Sequence, residues 1–95
     1  MNYKKALSKL VRDLRSRGYK VKFVSSDKLK DYTGMNDEAG QLFGIKITEQ
    51  EIWIDKSMTN KIKYETLRHE AVEEPLMEDG MKYWPAHKIA LQLEK

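Results

Sequence analysis

The sequence predicts an α+β domain with helices packed on a small three-stranded sheet, mixed or antiparallel. Two observations carry this expectation. Apolar residues recur at helical spacing near the N-terminus and again in the last third of the chain, and short alternating apolar runs lie between them. In order, Tyr3, Leu7, Leu10, Val11 and Leu14 share one face of a first helix, which Gly18 stops in the manner of a C-cap. Val21, Phe23 and Val24 read as a strand, and Ser26 or Asp27 is placed to cap one helical turn running through Tyr32. Residues 33–40 contain Gly and Asn, lack periodicity and read as a loop. Phe43, Ile45 and Ile47 alternate as a strand should, as do Ile52 and Ile54 around Trp53, and the link at 48–51 is short enough for a hairpin. Thr59 or Asn60 opens a helix from about residue 61 to residue 74, where Pro75 would kink or end it. Asp79-Gly80 marks a turn, and Trp84-Pro85 begins a last helix that runs to the C-terminus.

The 95 residues suffice for one domain spanning 1–95, and no repeat or linker divides them. With no cysteine, disulfides and thiolate metal sites are excluded. No apolar run approaches the roughly 20 residues of a membrane span, and no signal-peptide pattern opens the chain, so a soluble cytoplasmic protein with no membrane partner is expected. The net charge of +3 hides an asymmetry. Residues 1–30 carry ten Lys or Arg against Asp13 and Asp27, whereas residues 65–79 carry five Glu and Asp79 against Arg68 alone. A basic first helix suits nucleic acid or another anionic surface, and equally suits plain solvation.

The chemistry concentrates in His69-Glu70-Ala71-Val72-Glu73 and His87, the two histidines being the only ones in the chain. A helix advances about 100° per residue, so His69 and Glu73 stack on one face with Glu70 beside them. On the same wheel Tyr64, Leu67 and Ala71 face the sheet, while His69 and Glu73 point away, toward ground that the last helix can cover. That helix carries Ala86, Ile89, Ala90 and Leu93 as its apolar stripe, with His87 at the border. A metal held by His69, Glu73 and His87 would keep its fourth position for water, the pattern of catalytic zinc sites. Glu70 is then placed to take the water's proton and deliver it to a leaving amine. Zinc is the preferred ion, and other divalent transition metals accept the same donors. The same spacing also describes an ordinary His–Glu surface pair.

Glu51-Ile52-Trp53-Ile54-Asp55 followed by Tyr64-Glu65-Thr66-Leu67-Arg68-His69-Glu70 resembles the strand and active-site helix of an HExxH zinc metallopeptidase. The order of elements is similar to the minimal gluzincins, so the resemblance implies a zincin-like domain with peptide or protein substrates. It makes His69 the first ligand and Glu70 the general base. The sequence departs at the second ligand, Glu73 in place of histidine, and at the third, where His87 stands for the family's glutamate. The two exchanges are complementary and leave two imidazoles and one carboxylate. Glu74, Glu78 and Glu94 are candidates for a further ligand or a partner of His87. Tyr83 and Trp84 could line a groove, Trp53 could meet a peptide if its strand is an edge, and residues 93–95 could plug a cleft. Two other classes remain: a nucleic-acid-binding or regulatory module using the basic helix, and an inactive adaptor on the same scaffold.

Overall fold

The structure, a computed structural model, describes residues 1–93. Helix α1 (Tyr3–Ser16) starts at Asn2, whose side chain accepts from the Lys5 N–H at 3.2 Å. It ends as the sequence predicts. Gly18 takes φ +93°, the Tyr19 N–H reaches the Leu14 carbonyl, and the Gly18 N–H reaches that of Arg15, a Schellman closure. Strand β1 (Lys20–Val24) leads to a 3-10 turn at Ser26–Leu29, then strand β2 (Gly34–Asn36), helix α2 (Asp37–Phe43) and strand β3 (Glu51–Asp55). Helices α3 (Asn60–Glu78) and α4 (Tyr83–Leu93) complete the α+β architecture.

The sheet is mixed and ordered β1-β3-β2. β1 runs parallel to β3 with Val21 opposite Ile52, and β2 runs antiparallel to it with Met35 opposite Trp53. Period-two alternation sorts β3 between two cores. Ile52 and Ile54 join Leu7, Val11 and Leu14 of α1, Val21 and Leu67 of α3, with Tyr64 and Ala71 packed alongside. Trp53 packs instead against the cluster of Leu29, Met35, Ala39 and Ile45. Each fully buried aliphatic side chain here contributes about 1.5–3 kcal/mol.

Three expectations are corrected. Residues 33–40 are not a loop: they form β2 and the first half of α2, with Asn36 capping the helix through an Ala39 N–H bond of 2.8 Å. The strand expected over 43–47 and its hairpin with β3 do not form. Phe43 ends α2, Gly44 closes it at φ +74°, and Ile45 and Ile47 turn inward from an unpaired link. Their alternation reports real burial, but β2 occupies the edge of β3 that the hairpin would have used. Consequently Trp53 lies on the central strand, where no peptide can pair.

Helix α3 is capped by Thr59 and continues through Pro75 to Glu78. Proline removes one backbone bond there without ending the helix, and Met77, two residues on, is buried. Gly80, at φ +103°, then reverses the chain, and α4 lies against α3 through the small residues Ala86 and Ala90, both essentially inaccessible. Leu93, expected in the apolar stripe, is exposed, and residues 94 and 95, including Glu94, lie outside the described residues. Among the described residues no helix is long and apolar enough to cross a membrane.

Candidate metal centre

α3 and α4 bring the three expected ligands together. His69 and Glu73 come from successive turns of α3, and His87 from the first turns of α4. Hydrophobic burial of Leu67 on one face of α3 and the close approach of Ala86 fix their rotation. The Glu73 side chain is 1% exposed, that of His69 12% and that of His87 29%.

The donor atoms form a triangle. Glu73 Oε2 lies 2.7 Å from His69 Nε2 and 3.0 Å from His87 Nδ1, and the two nitrogens are 3.1 Å apart. Hydrogen bonding alone does not serve all three sides. A carboxylate oxygen brings no proton and each imidazole nitrogen at most one, so two protons face three contacts. A central cation serves all three together, and this group could hold a metal ion. Ligand atoms around tetrahedral zinc, with bonds near 2.0–2.1 Å, stand about 3.3 Å apart. The triangle is slightly contracted from that size.

Asn36 is the residue the sequence did not reveal. It is wholly buried at the junction of β2 and α2, and its amide nitrogen donates to Glu70 Oε2 at 2.8 Å and to Glu73 Oε1 at 3.1 Å. It therefore occupies the second oxygen of Glu73 and leaves Oε2 turned to the histidines, the role of an outer partner to a metal ligand. Only the cap signal of Asn before Asp37-Glu38 was available to locate it; its contact with α3 spans 34 and 37 residues of sequence.

The triangle opens on a cleft of about 410 Å³ lined by His69, Glu70 and His87 on one side and by Tyr32, Phe43, Tyr83 and Trp84 as an aromatic wall. Tyr83 stacks on the His87 ring at 5.3 Å, and its hydroxyl lies 3.4 Å from His87 Nδ1. Burial, reinforced by Glu73 and Glu70, raises the Tyr83 phenol well above its ordinary range, so it remains a proton donor. Thr33 and Gly34 bring edge strand β2 to the cleft. A Cβ on Gly34 would meet Thr66 Cγ2 at 2.5 Å, so only glycine lets β2 lie this close to α3.

Glu74 and Glu78 do not join the triangle; both face a different pocket beside Asp37. Burial, then the adjoining Asp37 carboxyl, pushes Glu74 up to about 10. Compared with protein-family models, curated proteins and solved structures, the chain matches none of them.

Proposed function

We propose that the chain is a small metal-dependent hydrolase acting on peptide bonds, with zinc held by His69, Glu73 and His87. The observation that carries the reading is the three-sided contact of these donor atoms, which two protons cannot satisfy. Their set of two imidazoles and one carboxylate suits zinc, which supplies Lewis acidity and acidifies water near neutral pH. Glu70, on the wall of the same cleft, takes the proton from the attacking water and passes it to the leaving amine. Asn36 holds Glu70 in place through its Oε2. The protonated Tyr83 hydroxyl donates to the carbonyl oxygen as negative charge develops on it. An extended peptide fits the open edge of β2 at the cleft, and the aromatic wall takes its side chains. A zincin-like scaffold with two ligand positions exchanged accounts for this arrangement.

Zinc reloading of the purified chain tests the reading. One equivalent of zinc is expected, together with cleavage of fluorogenic peptides. Glu70→Gln should retain the zinc and lower turnover about 10²–10⁴-fold. Reloaded protein with no bound zinc overturns the metal site, and zinc-loaded protein inert toward a broad peptide library overturns the hydrolase and leaves the adaptor.

A separate groove favours a second reading, nucleic-acid binding. Lys4, Lys5, Lys9, Arg12 and Arg15 line it with Phe23, and no acidic residue does. Binding there would weaken steeply with salt.

A further inference from the structure

The cleft at the triangle runs against the charge of the whole chain. The protein carries 18 Lys and Arg and a net charge of +3, yet no Lys or Arg lines the cleft, while Glu65 and Glu70 both do. Zinc together with the Glu73 carboxylate would carry one net positive charge, which the Glu70 carboxylate offsets. Glu65 therefore leaves the loaded cleft negative. It stands one turn before His69 on the same face of α3, close to Ile62. Its carboxylate is exposed and has no ion-pair partner among the described residues; Lys61 and Arg68 line a separate pocket on its other side.

The aromatic wall of the same cleft is open to solvent. Trp84 and Tyr32 are 60% and 43% exposed, and the Phe43 ring lies 5.0 Å from Tyr32 and 6.3 Å from Trp84. Aromatic rings beside a carboxylate suit a cation on a long apolar stem, because ring faces attract positive charge and the stem covers apolar surface. The same surroundings repel an acidic side chain. Resting on the peptide-hydrolase reading, we propose that the cleft selects peptides with a Lys or Arg beside the scissile bond, and that Glu65 is the specificity-determining residue. One turn of α3, roughly 6 Å, separates Glu65 from the triangle, which is about two residues of an extended peptide. A basic residue within two positions of the cleaved bond thus brings its charge to Glu65 while its methylenes meet the rings.

The test pairs the zinc-loaded full chain with internally quenched alanine- and serine-based peptides that carry one central Lys, norleucine or Glu. Norleucine keeps the stem and drops the charge. kcat/KM should favour Lys over norleucine by about fivefold or more, with Glu slowest, and mass spectrometry should place the cut within two residues of the Lys. Glu65→Gln should bring Lys and norleucine within about twofold, and Glu65→Lys should reverse the order of Lys and Glu with one zinc still bound. Fluorescence anisotropy of the same peptides on the zinc-loaded Glu70→Gln variant reads the preference without turnover. An unchanged order in Glu65→Lys, equal rates for the three peptides, or cuts remote from the Lys would each overturn the selectivity and leave the hydrolase standing. Lys-selective binding that Glu65→Lys removes, in a protein that cleaves nothing, would overturn the hydrolase and keep the selectivity. Neither cleavage nor binding would overturn both.

Discussion

Glu73 and Glu74 are adjacent on α3 and equally buried, and the helix turns them about 100° apart. One meets two imidazoles and the amide of Asn36; the other meets a second carboxyl group. Glu51 completes the comparison as a buried acid that ordinary protein donors satisfy. Its carboxylate accepts from Trp53 Nε1 at 3.0 Å and pairs with Lys22 Nζ at 3.1 Å. Hydrogen bonds from Thr48 and Trp53 hold Glu51 down at about 2, whereas Glu74 is pushed up to about 10. Burial alone therefore does not set the fate of a carboxyl group; the donors within reach do.

The sharpest way to break the comparison is to neutralise each neighbour in turn. Glu73→Gln should weaken zinc by at least about 10²-fold, beyond the 10–100-fold of an outer partner, while Glu74→Gln changes zinc affinity little. Equal losses in competition with a chromogenic chelator would erase the distinction. Asn36→Ala comes next. It removes the donor shared by Glu70 and Glu73, and zinc affinity should fall about 10–100-fold with the three ligands intact. Unchanged affinity would show that the triangle sets its own geometry.

The smallest effect concerns Glu51 and pH. Its folded carboxyl is more acidic than in the unfolded chain, so the unfolded chain binds more protons as pH falls. The stabilisation is complete above the usual carboxylate range near 4.5 and is lost as pH falls toward 2. Glu51→Gln should cost about 1–2 kcal/mol at pH 7 by urea unfolding, with the gap to the parent protein closing in acid. A pH-independent gap would assign the loss to packing.

What the sequence discloses follows the range of the interactions involved. Helix α1 is legible because Leu7, Val11 and Leu14 repeat every turn and Gly18 ends them, all local signals. His69, Glu73 and His87 are legible because the first two share a helix face and the third is the one remaining histidine. β2 and α2 are too short, at three and seven residues, to establish a period. Residues 43–47 mislead because inward alternation marks burial whether or not a strand pairs beside it. Pro75 does not end α3, which runs on to Glu78 with Met77 buried, so its local breaking signal does not mark the helix end. Asn36 gains its significance from α3, far along the chain, and its one local signal, that of a helix cap, says nothing of the two glutamates.

The amide of Asn36 has one further consequence. An asparagine head group can rotate by half a turn, exchanging its oxygen and nitrogen, with little change in shape. Here the first turn of α2 forbids the exchange, because the Ala39 N–H requires the oxygen. The nitrogen is thereby committed to the two glutamates. Asp would start the helix equally well but brings no donor, and Ser or Thr brings a single O–H on a shorter arm where the Asn36 amide gives one proton to each of two glutamates, so the charges across from this helix-starting position favour asparagine.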